Sequence, residues 1–181
     1  MNLHRLTETL RDYAAFGPGV AISLILSLLA CGYASCTLKI TRAHGWALLM
    51  SLGVVLSATI TPSREALLFG AQGSGTCDLS RIALAPLQDL SHLNDTSLNI
   101  LLFVPLGFAI ALCPRSRAKY IVLAGAFVLP ASIELIQLLV PPLGRECQSA
   151  DVIDNLTGLV VGLAAGVVAR LLAGMLDRLL P

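Results

Sequence analysis

PGVAISLILSLLACGYASCTL, Pro18 to Leu38, decides the fold class. None of its 21 residues is charged, and its Ser, Cys, Thr and Tyr can satisfy their polar groups within a helix. A run of about 20 apolar residues is the length a helix needs to cross the hydrocarbon of a bilayer. Lys39 and Arg42 stop it. Trp46 to Ile60 reads as a second span, short at about 15 residues, with Trp46 suited to an interfacial anchor and Thr61-Pro62-Ser63 at its end. Leu98 to Cys113 is a third. Tyr120 to Val140 is a fourth, stopped by Pro141-Pro142. Leu156 to Met175 is a fifth, entered through the acidic turn Asp151 to Asn155. Composition agrees with these runs: 56% of the 181 residues are hydrophobic and 13% charged, against roughly 25% charged in a soluble domain. With a net charge of +1 and a mean hydropathy of +0.81, the chain is neither disordered, nor a basic nucleic-acid binder, nor an ordinary water-soluble globule. The expected fold is all-α, a polytopic membrane helical bundle with about five transmembrane helices. Met1 to Gly17 has the pattern of an amphipathic helix, with Leu3, Leu6, Leu10 and Tyr13 on one face.

Orientation follows from Lys and Arg, which are retained on the cytoplasmic side. One side collects Lys39, Arg42, Arg115, Arg117, Lys119, Arg170 and Arg178; the other holds Arg5, Arg11, Arg64, Arg81 and Arg145 spread over a longer sequence. The reading is therefore a multi-pass protein of the cell membrane with a cytoplasmic C-terminus and extracytoplasmic loops 63–97 and 141–150. Five spans put the N-terminus outside, although Arg5 and Arg11 before an apolar run equally suit a signal anchor with its N-terminus inside. Leu28-Leu29-Ala30-Cys31 resembles a lipoprotein cleavage box, but the Leu before Ala fits poorly and the preceding segment is long.

Of the five cysteines, Cys31, Cys36 and Cys113 lie in or at the ends of spans, where a free thiol behaves as a small apolar group. Cys77 and Cys147 are the two in loops, and two spans between those loops put them on one face of the membrane. A disulfide there requires the oxidising outer side. The alternative is two unpaired thiols. His4, His44 and His92 share no ligand spacing with these cysteines, so no metal site and no cofactor is expected.

Glu134 lies six residues before Val140, about 9 Å below the end of its helix at 1.5 Å per residue. An ionisable group at that depth is costly, faces the bundle interior and marks function by default. Gln137 shares its helical face. In the last helix Asp151, Asn155, Gly158, Gly162 and Gly166 recur at spacings of four, three, four and four, a stripe whose glycines allow another helix to approach closely. Asn99, Phe103 and Gly107 make a comparable stripe in the third span, which Pro105 interrupts. Arg145 is the cation placed to pair with Glu134 or Asp151. Taken singly, the amides also suit interhelical glue and Asp151 an N-cap.

Asn99-Ile-Leu-Leu-Phe-Val-Pro-Leu-Gly107, then Glu134-Leu-Ile-Gln137, then Arg145, Asp151, Asn155 and Gly158 together resemble the signature of the VanZ-like family. The resemblance covers about Trp46 to Met175, which implies a VanZ-like four-helix membrane domain over 46–177 and, before it, an N-terminal segment, 1–45, with an added transmembrane helix. It departs from the family between Arg145 and Asn155, where members often carry two or three acidic residues and Asp151 is the main match. It implies a multispan envelope protein tied in one member to glycopeptide (teicoplanin) resistance. On that reading an outward-facing polar cavity binds or acts on a lipid-linked or cell-envelope substrate, with Asn99, Gln137, Arg145, Asp151 and Asn155 binding and Glu134 as general acid/base. The expected partners are membrane lipids and a lipid-linked cell-wall precursor or glycopeptide, with helix-mediated self-association as a further option and no nucleic acid. A non-catalytic envelope factor and a small transporter are the alternatives. No Gly-x-Ser-x-Gly, His-Glu-x-x-His or phosphate loop supports an enzyme.

Overall fold

A computed structural model describes residues 16–86 and 94–179. The amphipathic segment read at Met1 to Gly17 lies almost wholly outside the described residues, as do Asp89 and His92 of the connector. Five long helices carry the fold: α1 (Phe16–Leu38), α2 (Arg42–Thr59), α4 (Asp95–Leu112), α5 (Arg117–Leu139) and α6 (Ser149–Leu179). Between α2 and α4 the connector forms a short α3 (Arg64–Phe69) and a two-residue strand β1 (Cys77–Asp78). β1 pairs in parallel with β2 (Cys147–Gln148), which follows the 3₁₀ turn Pro141–Leu143.

Local chemistry sets the boundaries. Thr41 caps α2 by accepting the His44 amide, so this helix starts four residues before Trp46. Asn94 and Ser97 form a reciprocal capping box at the start of α4, and Ser116 caps α5 through the Lys119 amide. α6 begins at Ser149 rather than Leu156, so the acidic residues read as an entry turn are its first two turns.

The bundle is built from two close pairs. α1 and α2 form a hairpin: a Cβ on Gly53 would strike Ser23, one on Gly19 would meet Ser57, and the Ser23 and Ser57 hydroxyls are 3.2 Å apart. α4 and α6 pack backbone to backbone. A Cβ on Gly158 would overlap the Ile100 carbonyl oxygen, one on Gly162 that of Val104, and one on Gly107 that of Leu159. Close approach replaces the hydrophobic drive that lipid cannot supply. α5 closes the core with Ala126 and Ile133 against Val55, Phe103, Ile110 and Leu159.

The distribution of polarity identifies the solvent. Leu29, Tyr33, Ile121 and Leu171 face outward, while Glu134, Gln137, Asp154 and Asn155 are buried. Such an apolar exterior suits hydrocarbon rather than water. Four helices are long and apolar enough to cross a membrane: α1, α4, α5 and residues Ser149–Asp177 of α6. α2 has 18 residues, about 27 Å at 1.5 Å each, and opens on Arg42 and His44. The architecture is a helical membrane bundle.

Candidate functional site

The polar side chains gather at the end of the bundle that carries the Cys77–Cys147 disulfide, which joins directly opposed residues of β1 and β2. The bridge closes a sequence separation of 70 and lays the connector across the ends of α5 and α6. Further ties dock the connector on the 141–148 loop. The Ser63 amide donates to the Leu143 carbonyl at 2.9 Å, the Gly73 amide to that of Pro141 at 2.8 Å, and the Ser74 amide and hydroxyl to the Glu146 carboxylate. Gly144 has the left-handed φ of 59°, and a Cβ there would press on Ala66 and Ser63, so glycine answers both demands. In the exposed part of the connector, the Ser80 amide and then its hydroxyl hold the Asp78 carboxyl below the usual carboxylate range.

Within this frame Glu134 is buried and its Oε2 accepts the Gln148 amide at 2.8 Å, at the entrance to α6. One turn on, Gln137 Nε2 donates to the Thr59 carbonyl at 2.8 Å, one of the last carbonyls of α2, which have no partner in their own helix. That bond orients the amide and leaves Gln137 Oε1 buried with no partner. Asn155, 1% exposed, likewise keeps a buried, unpartnered Oδ1. Asp151 faces the Asn99 side chain, and its carboxyl shares its surroundings with Glu134, Asp95, Asp154 and Arg81. Arg145 Nε donates to the Thr61 carbonyl, just beyond the end of α2, at 3.3 Å.

Among the described residues, an ion pair on α6 comes from a residue that sequence reading uses for orientation alone. Arg81 of the connector makes a two-pronged bond to Asp154, with Nη1 to Oδ1 at 3.1 Å and Nη2 on Oδ2. Nη1 also reaches the Ala83 carbonyl, and the Arg81 carbonyl accepts the Ser149 hydroxyl at 2.8 Å. Asp154 is 1% exposed, and the fork supplies hydrogen bonds and an opposite charge to a carboxylate that water does not reach. A signal was present: Asp154 stands four residues before Gly158 and thus on the glycine stripe. Nothing local in Arg81 marks it, because 73 residues separate the partners.

The structure thus brings Asn99 to Asp151, sets Glu134 in the same carboxylate group and forms the Cys77–Cys147 bond. Gln137 turns to the end of α2, and Arg145 donates to the Thr61 carbonyl just beyond it. Chemically, the group offers carboxylate and amide oxygens, which accept hydrogen bonds. Among the described residues no three His, Cys, Asp or Glu side chains are arranged to hold a metal ion. The family model described as VanZ/LLP1 matches residues 4–170, a stretch that includes α1 as well as the helices after it. No curated protein and no solved structure matches the chain.

Proposed function

Because the chain belongs to the VanZ/LLP1 family, we propose that it is a multi-pass membrane protein whose disulfide end binds the polar headgroup of a lipid-linked or cell-envelope molecule. Glu134, Asp151, Asn99, Gln137 and Asn155 supply the hydrogen bonds, and the helices around them present apolar surface to the lipid tail. The observation that carries this reading is the pair of buried oxygens, Gln137 Oε1 and Asn155 Oδ1, left without partners beside buried carboxylates. An unsatisfied buried acceptor costs about 1–3 kcal/mol, and a bound donor recovers it. The arrangement favours headgroups rich in N–H or O–H, such as ammonium groups or sugar hydroxyls, over bare phosphate, which the carboxylates repel. A glycopeptide antibiotic or a cell-wall precursor carries such donors, which is how the family's association with teicoplanin resistance would apply here.

The same reading sets the disulfide end outside, where thiols oxidise, and the Lys- and Arg-rich end with the C-terminus in the cytoplasm. Native mass spectrometry of the full chain purified from its membrane tests the binding. Donor-bearing lipids are expected to be retained by the wild type and lost by Gln137→Leu/Asn155→Leu. Identical adducts on both proteins would remove the reading. Glu134→Gln keeps the shape and removes the charge, so it is expected to retain sugar-hydroxyl ligands and to weaken ammonium ones. An impermeant thiol reagent applied to intact cells after reduction should label Cys77 and leave Cys113 untouched.

A further inference from the structure

The opposite end of the bundle carries a second, differently charged arrangement. α4 ends at Leu112, and its last carbonyls turn toward three basic side chains from three other helices. His44 Nε2 of α2 lies 2.8 Å from the Ala109 carbonyl oxygen. Lys119 Nζ of α5 donates to Ala111 O at 3.0 Å and Cys113 O at 2.9 Å. Arg170 Nη1 of α6 donates to the same two oxygens, each at 3.1 Å. Two full positive charges thus share two neutral acceptors. Arg115 stands close enough for its charge to act on Lys119, and Arg117 begins α5 two residues away.

Capping alone does not balance this group. A helix C-terminus presents the equivalent of roughly half a negative charge. Lys119 and Arg170 bring two positive ones before Arg115 and Arg117 are added. Among the described residues Asp177, two turns beyond Arg170, is the acidic residue on this side, whereas Glu65, Asp78, Asp95, Glu134, Glu146, Asp151 and Asp154 belong to the disulfide end or its connector. Donors also remain: Lys119 uses two of its three N–H groups here, and Arg170 places a single nitrogen on the carbonyls while its side chain lies exposed. The cluster sits where α5 begins and α4 ends, the level at which apolar helix surface gives way to the headgroup layer.

We propose that Lys119, Arg170 and Arg115 form a binding site for the phosphate of an anionic membrane lipid, which bridges the α4–α5 turn to α6. Guanidinium and ammonium groups suit phosphodiester oxygens, and the exposed apolar faces of α5 and α6, with Ile121, Val167 and Leu171, lie next to the site for the acyl chains. This site differs in place and in sign from the one under Proposed function and does not depend on it.

The test is lipid titration of the full chain followed by native mass spectrometry, with phosphatidylglycerol and phosphatidylcholine as the two probes. Wild type is expected to retain phosphatidylglycerol selectively. Lys119→Gln and Arg170→Gln should each weaken it about fivefold, and the double variant about 25-fold, with phosphatidylcholine unaffected. Lys119→Arg and Arg170→Lys keep the charge and should retain the lipid, which separates loss of binding from loss of folding. Equal phosphatidylglycerol retention by the wild type and the double glutamine variant would overturn the proposal. Thermal stabilisation by inorganic phosphate equal to that by the lipid would also overturn it, by reducing the site to one for a free ion.

Discussion

At its first turn α4 meets an Asn94 cap, with Asp95, Asn99 and the carboxylates of α6 around it; at its last turn it meets His44, Lys119 and Arg170. Acid near a helix N-terminus and base near its C-terminus both follow the macrodipole, so the two ends agree in electrostatic sense. They differ in how they are held. The disulfide end depends on partners far apart in sequence: Cys77 with Cys147, Arg81 with Asp154, and Gln137 with the end of α2. The basic end depends on long flexible side chains reaching the carbonyls at the end of α4. The first kind of contact is intolerant of truncation. The second is screened, adjustable and small for each contact.

Four measurements test that contrast. Removing the disulfide with Cys77→Ser should have the largest effect, about 4 kcal/mol for a loop of this length. The variant's thermal midpoint should be indifferent to reductant, while that of the wild type falls to meet it. Arg81→Met leaves the Asp154 carboxylate buried without its fork and should cost about 3 kcal/mol, with Arg81→Met/Asp154→Leu recovering most of it. A full double-mutant cycle in chemical denaturation reads the coupling. Gly162→Ala drives a methyl into the Val104 carbonyl and should cost about 2 kcal/mol. Gly174→Ala meets nothing within 4 Å and should instead gain a few tenths of a kcal/mol from helix propensity. The smallest effect belongs to the basic end. Lys119→Met should lose about 0.5 kcal/mol in lipid-free detergent, and the loss should vanish near 1 M salt. A Lys119 effect as large as that of Arg81, or one insensitive to salt, would erase the distinction between the ends.

Much of this molecule was legible from residue order alone. Apolar run lengths place the helices, because a bilayer imposes a minimum length and the backbone must satisfy itself inside each run. The glycine spacing on α6 announces the close contact with α4, and Cys77 and Cys147 are the two cysteines that the loops can bring together. Glu134 is conspicuous because a carboxyl within an apolar run demands an interior. Boundaries were harder. α6 starts seven residues before Leu156 because Asp151 and Asp154 find partners in the fold and need no water, and α2 starts at Arg42 because Thr41 caps it.

The order of residues thus carried a helical membrane bundle, glycine stripes fit for close helix contact, two loop cysteines on one face and the sign of charge at each end, all properties set by spacing within one segment or by counting. The folded chain alone settled that Arg81 forks onto Asp154, that Gln137 reaches the end of α2 and Arg145 the Thr61 carbonyl beyond it, and that Lys119 and Arg170 converge on one pair of carbonyls. Those choices rest on the path of the connector and on which helix ends meet. Pairings across 60 or 70 residues leave no period in a sequence, because loop closure constrains distance and says nothing of identity.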